Sequence, residues 1–189
     1  NAKGVAYEAG DVRFVDQNGD GKIDANDRAI VGKKRPRWSG GWQNTFSYKN
    51  FELSFFIYAR WKFTVEHGAE DLSGNYAMRK IDYWIKDVNE DATYYSPGAQ
   101  DPYSASMNYQ DGSYIKMRNI SLGYTFPKSI TGKLGMNNLK IYVQAMNPFT
   151  IYKKCKWLDT DLVNYDNGTT TFGSNTTIRS WVIGLNIGF

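Results

Sequence analysis

Residues 179–189 read Arg-Ser-Trp-Val-Ile-Gly-Leu-Asn-Ile-Gly-Phe. A β-strand sends successive side chains to opposite faces, and this stretch sorts into two. One face carries Trp181, Ile183, Leu185, Ile187 and Phe189, and the other carries Ser180, Val182, Gly184, Asn186 and Gly188. A soluble sheet with one face turned to a core shares that alternation. The sequence stops on the aromatic with no polar tail, which favours a strand whose apolar face meets hydrocarbon.

The same period recurs upstream. Trp42, Phe46 and Tyr48, with Asn44 between them, alternate with Gln43, Thr45 and Ser47. Lys49-Asn50 reads as a two-residue hairpin turn. Phe51, Leu53, Phe55, Ile57 and Ala59 then oppose Glu52, Ser54, Phe56 and Tyr58. Ile120, Leu122, Tyr124 and Phe126 oppose Asn119, Ser121, Gly123 and Thr125, and Leu139, Ile141, Val143 and Ala145 oppose Lys140, Tyr142, Gln144 and Met146. Five strands are expected, at about 38–49, 51–61, 113–126, 138–151 and 178–189. Each is long enough to cross a bilayer at a tilt. The connections at 49–50 and 127–137 are short, and those at 62–112 and 152–177 are long. Short periplasmic turns and long extracellular loops are the habit of outer-membrane barrels. The fold class is therefore all-β: an antiparallel transmembrane β-barrel portion, with 1–37 as an extracellular loop and 38–189 as five strands. Five strands cannot close a barrel and open edges are not tolerated in lipid, so further strands must lie on other sequence. In the long loop, Met78, Ile81, Trp84 and Ile85 at 3–4 spacing predict a helix over about 77–87.

Composition narrows the classes of function. Among 189 residues there are 6 Trp, 14 Tyr and 10 Phe, suited to surfaces that are half apolar and half wet. No apolar run approaches the length of a membrane helix, and a start without Met leads to the expectation of a processed or truncated piece of something longer. The net charge of +4 is too diffuse for nucleic acid. One dense basic run, Lys33-Lys34-Arg35-Pro36-Arg37, suits a solvated loop or a contact with anionic lipid head groups. A single cysteine, Cys155, and a single histidine, His67, exclude an internal disulfide and a Cys/His zinc site. No nucleophile, base or carboxylate pair stands out, so no catalysis is expected.

One motif carries explicit chemistry. Residues 16–27, Asp-Gln-Asn-Gly-Asp-Gly-Lys-Ile-Asp-Ala-Asn-Asp, have the spacing of a calcium loop. The ligands would be Asp16, Asn18, Asp20, the Lys22 carbonyl, Asp24 and Asp27, with Gly21 at the sharp turn. Asp in place of Glu at the twelfth position shortens the arm and lets Mg²⁺ compete with Ca²⁺. The alternative is an Asn/Gly/Asp turn held by its own side-chain hydrogen bonds. On either reading the role is structural.

An ordered set of stretches resembles the C-terminal region of SusC/RagA-type TonB-dependent outer-membrane transporters. The set runs from Asp11-Val-Arg-Phe14 through the loop to Asp24 and Ile30-Val-Gly32, then the aromatic hairpin 41–56 and Ile81–Trp84. It continues with Asp111-Gly-Ser-Tyr-Ile-Lys-Met-Arg-Asn-Ile-Ser-Leu-Gly-Tyr-Thr-Phe-Pro127, residues 139–150, and Gly184-Leu-Asn-Ile-Gly-Phe189. The resemblance implies the last five strands of a 22-stranded barrel in the bacterial outer membrane, with a plug and a TonB contact on sequence absent here. It also implies a SusD-like surface lipoprotein lid and uptake of oligosaccharides or peptides. Phe189 resembles the terminal signal read by the barrel-assembly machinery. Two stretches depart from the family: Asn147-Pro-Phe149 replaces an Asn-Leu/Phe-Phe step, and the basic run 33–37 replaces a neutral one. Candidate substrate contacts are the loop aromatics Trp61, Tyr83, Trp84 and Trp157, beside lumen-facing Glu52, Tyr58, Lys140, Tyr142 and Gln144. The competing architecture is a secreted, calcium-stabilised β-sandwich that binds carbohydrate, with the same apolar faces buried.

Overall fold

The computed structural model describes residues 8–67, 82–97, 99, 109–155, 159–162, 169–170 and 177–189. Its frame is a five-stranded antiparallel sheet of β1 (Trp38–Tyr48), β2 (Phe51–Trp61), β5 (Tyr114–Thr125), β6 (Asn138–Lys153) and β8 (Ser180–Gly188), in that spatial order. A second, three-stranded sheet joins β3 (Thr64–His67), β4 (Tyr109–Asp111) and β7 (Thr169–Thr170), with β3 in the middle. This small sheet falls inside the two long connections, where no strand was expected.

The hairpin turns where the sequence reading put it. Tyr48 pairs with Phe51, and Lys49 takes a left-handed φ of 53°. The Asn50 amide then donates to the Thr125 carbonyl at 2.8 Å, tying the turn to the end of β5. The β5–β6 connection is short and holds one helical turn, α1 (Lys128–Thr131). Both short connections lie at one end of the sheet and both long ones at the other.

Register aligns the five apolar stripes on one face. Phe46, Leu53, Leu122, Val143 and Ile183 stand opposite one another across all five strands, and so do Tyr48, Phe51, Tyr124, Ile141 and Leu185. This face is uncovered: Trp42, Leu122, Ile183 and Leu185 are each more than half exposed. The polar face repeats the logic with Thr45, Ser54, Ser121, Gln144 and Val182 in one row. There Lys140 reaches over Gly123 to Glu52 at 2.7 Å. A Cβ on Gly123 would stand 2.7 Å from the Lys140 Cε, so glycine clears that crossing. Burial instead gathers where the small sheet meets β5, around Phe63, Val65 and Tyr114, with Tyr58 packed against them. The sandwich expectation fails on this point, because among the described residues no second sheet is pressed against the apolar face.

Aromatics bound the apolar face at both ends. At the short-turn end Tyr48 pairs with Phe51 and Phe51 with Tyr124, and Phe126 stacks edge-on to Tyr124 at 5.1 Å. At the long-loop end Trp38 stacks on Trp61 at 6.1 Å, and Tyr152 lies 5.5 Å from Trp61. The pairing Ala59, Ile115, Tyr152 sets Tyr152 on the same face as Trp61. From Phe51 to Trp61 the strand rises about 33 Å, which at the usual barrel tilt gives a band about 25 Å tall. That is the height of the hydrocarbon-facing band of an outer-membrane barrel.

Two expectations are corrected. The predicted helix at 77–87 does not form over its described part: Tyr83 bridges to Tyr94, Ile85 bridges to Asn89, and Asp87 has a φ of 59°. Residues 77–81 lie outside the described set. Trp61 belongs to the end of β2 and the outer aromatic row, not to a loop.

The two-faced register makes a direct prediction. Leu122→Arg, on the apolar face at mid-height, should cost the lipid-embedded barrel about 2–4 kcal/mol, and Ser121→Arg much less. Reversible denaturant unfolding in lipid vesicles measures both, and equal costs would contradict the assignment of faces.

Candidate functional site

A β-bulge builds the principal polar site. Phe56 pairs with Asn119 and Ile57 pairs with Met117, which leaves Arg118 as an extra residue on β5. Such a bulge re-aims side chains, and here Lys116, Arg118 and Asn119 all address the polar face. The segment around Thr160–Leu162, a single 3₁₀ turn, folds onto that face and brings Asp159 and Asp161 with it. Its anchor is the Thr160 hydroxyl, which donates to the Gly112 carbonyl at 2.8 Å.

The charges then interlock. Lys116 forms a short ion pair with Asp159 and approaches Asp161 at 3.4 Å. Arg118 meets Asp161 at 2.6 Å, and the Tyr114 hydroxyl donates to the same carboxylate. The Lys116 ammonium also donates to the Thr177 hydroxyl at 3.1 Å, while the Thr177 amide and hydroxyl donate to Asp159. Arg118 lies 5.4 Å over the Tyr58 ring, a geometry in which cation and π-face attract. The Asp161 side chain is only 4% exposed and that of Lys116 8%, so these charges are held by pairing rather than by water.

Burial by itself raises the Asp159 carboxyl pKa. Hydrogen bonds from Lys116 and Thr177, with the charge of Lys116, outweigh it and hold the group below its ordinary 3.8.

Beside this cluster opens a cleft of about 590 Å³, lined among others by Lys116, Asn147, Thr150, Lys153, Asp159 and Arg179. The cluster's two cations and two carboxylates balance. Lys153 and Arg179 have no acidic partner among the described residues, so the lining those residues provide is net cationic. Its chemistry is to hold and orient a polar or acidic group.

The sequence-named candidates lie elsewhere. Neither Trp61, Tyr83 nor Trp84 lines this cleft. Trp84 packs against Gly10, where a Cβ would stand 2.5 Å from its ring, and its amide donates to the Tyr94 carbonyl at 2.9 Å. Trp157 lies outside the described residues. Glu52, Tyr58, Lys140, Tyr142 and Gln144 do occupy the polar face. The lock of Lys116, Arg118, Asp159 and Asp161 was missed. Its one local signal is the run Lys116-Met117-Arg118-Asn119, which breaks the period of two.

The loop at 16–27 is closed by its own hydrogen bonds. The Asp16 carboxylate accepts from the Gly19 and Gly21 amides, each at 2.7 Å, and Asp20 accepts from Lys22 at 2.8 Å. Gly19 and Gly21 have φ of 75° and 80°, which glycine adopts freely. The Asp24 and Gln17 amides donate to Asp27 and hold its carboxyl below the ordinary range. Among the described residues, no three His, Cys, Asp or Glu side chains converge as a metal centre. Phe189 stands one residue past β8 and is exposed.

Comparison with known proteins places this frame. No protein-family model matches the chain. TonB-dependent receptor P3 of Formosa agariphila is 28% identical over 195 residues, covering 93% of this chain and 19% of the receptor. The TonB-dependent receptor SusC of Bacteroides thetaiotaomicron is 28% identical over 158 residues, covering 79% and 15%. Among solved structures, the RagAB peptide transporter superposes with a TM-score of 0.69 at 18% identity, over 90% of this chain and 20% of that one. The chain is similar to SusC/RagA-type TonB-dependent transporters, and its fold is theirs. It spans about a fifth of the length of the curated relatives it matches. They are receptors rather than enzymes, which agrees with the expectation of no catalysis.

Two outcomes test the lock. Asp161→Ala leaves the half-buried Arg118 without its carboxylate and Lys116 with Asp159 alone, and should cost docking of the 159–161 segment about 1–3 kcal/mol, read as faster hydrogen exchange at the Thr177 amide. A carboxylate with a lower pKa in the folded state contributes stability above its unfolded value, and that contribution is lost as pH falls through the folded value. Protection at Thr177 should therefore be full well above pH 3.8 and fade below it. Unchanged exchange across that range would show that Asp159 does not hold the loop.

Proposed function

We propose that this chain forms part of the wall of an outer-membrane TonB-dependent importer, with β1 and β8 paired to further strands of the same barrel and its polar face lining the lumen. The carrying observation is the uncovered apolar face between two aromatic rows. Hydrocarbon is the solvent that such a face suits, and Tyr and Trp concentrate at membrane interfaces. The two unpaired edges support the same reading, since an open edge is not tolerated within lipid. The long-loop end, with the ion-pair lock and the cationic cleft, then opens outside the cell, and the short turns lie in the periplasm. A SusD-like lipoprotein at the long-loop end, a plug in the lumen and a 22-strand closure complete the proposal, supported by the likeness to SusC and to the RagAB transporter. Phe189, at the short-turn end, would serve barrel assembly.

The substrate is an oligosaccharide or a peptide. The cleft's excess of cations favours one that carries a carboxylate, with Lys153 and Arg179 as its contacts and loop residues Tyr83, Trp84 and Trp157 as further candidates at the mouth. Uptake by cells bearing the intact transporter tests this. Lys153→Gln with Arg179→Gln should weaken uptake of acidic peptides or acidic glycans by about tenfold or more while sparing neutral ones. Equal loss for both classes would remove the cleft from substrate selection.

The spacing of residues 16–27 supports a structural Ca²⁺, with Mg²⁺ as competitor, on Asp16, Asn18, Asp20, the Lys22 carbonyl, Asp24 and Asp27. The side-chain oxygens of this set already accept amide hydrogens but keep further lone pairs for a cation. Calcium should then protect the amides of 16–27 from exchange, and Asp16→Ala should abolish the effect. Identical exchange in calcium and in chelator would leave a turn held by its own hydrogen bonds.

A further inference from the structure

The basic run at 33–37 takes no part in the lumenal lock, yet its backbone is fixed. The Lys33 carbonyl accepts from the Thr64 amide at 2.6 Å, and the Arg37 amide donates to the Trp61 and Lys62 carbonyls at 2.9 and 3.1 Å. Gly32 permits the approach, since a Cβ there would stand 1.8 Å from the Thr64 hydroxyl oxygen. The run is thus clamped across the turn between β2 and β3, directly beside Trp38 and Trp61 of the outer aromatic row. The side chains of Lys33, Arg35 and Arg37 are exposed, and no carboxylate among the described residues pairs with any of them.

Position decides what such cations meet. A run on a free loop would face bulk water. The backbone of this one is held just beyond Trp61 of the aromatic row, which is the depth of lipid head groups. Arginine presents a planar fork that matches phosphate oxygens in pairs, and lysine adds a compact charge. We propose that Lys33, Arg35 and Arg37 form a binding site for the phosphate of a membrane lipid in the leaflet at the long-loop end. The inference rests on the membrane reading given above. It adds a specific lipid contact to a wall that could otherwise meet any hydrocarbon.

The test uses the intact transporter in neutral detergent, titrated with dioctanoyl phosphatidic acid and, separately, with dioctanoyl glycerol, with bound lipid counted by native mass spectrometry. The phosphate-bearing lipid should be retained and the neutral one not. The triple variant Lys33→Gln, Arg35→Gln, Arg37→Gln should lose at least tenfold in retention. The charge-conserving Lys33→Arg, with Arg35 and Arg37 kept, should retain the lipid, showing that the Gln variant fails for want of charge. Competition by inorganic phosphate at low concentration, or equal retention by the Gln variant, would overturn the lipid site. If instead the transporter remains dispersed without any detergent, the membrane reading itself is at fault.

Discussion

Backbone pairing is the constraint from which the rest follows. A strand in hydrocarbon has no water for its N–H and C=O groups, so every one must find a neighbouring strand. Among the described residues β2, β5 and β6 are paired on both sides, and β1 and β8 on one side only. That fixes register, and register fixes which side chains share a face. A slip of one residue in any strand would carry Leu53 or Leu122 to the polar side and Glu52 or Ser121 to the apolar one. The Glu52–Lys140 pair and the Phe46, Leu53, Leu122, Val143, Ile183 row therefore express a single alignment from opposite sides of the sheet.

The polar face does more than tolerate water. The bulge at Arg118 places extra charge where β5 nears the long-loop end. The segment of Asp159 and Asp161 neutralises that charge and is held down by it. The result is a loop fixed against the polar face of the sheet by ion pairs rather than by apolar burial. The cleft beside it keeps two cations unbalanced. A wall built this way offers a polar solute a charged contact without a hydrophobic trap.

Much of the frame was legible because period two, sustained over about ten residues, has few other causes. The strands at 38–48, 51–61 and 180–188 fall within a residue or two of their sequence boundaries. The structure departs where local patterns compete. Met78, Ile81 and Ile85 suggested a helix, but the Asp82 carboxylate accepts from Asn89 and Thr93 and closes a turn instead, an outcome open to short polar side chains. The lock was hidden for another reason. Arg118 and Asp161 are 43 residues apart, and no local period reports such a contact. Trp61, the last residue of the strand expected at 51–61, was also named among the loop aromatics, because an aromatic at a strand end reads equally as loop or as membrane rim, and only register to Trp38 and the packing of Tyr152 separate the two.

The tight turn at Lys49-Asn50 bears on how the sheet forms. Joining β1 to β2 closes a loop of two residues, whereas joining β2 to β5 must bring together chain separated by the whole 62–113 connection. Closure entropy grows with the logarithm of that length, and pairings between distant segments form late. The aromatic hairpin is thus the part of this sheet best able to arise on its own. By the same measure β5 and β6, joined by a short connection, pair more readily with each other than either does with β2, so the long 62–113 connection sets the costliest step in completing the sheet.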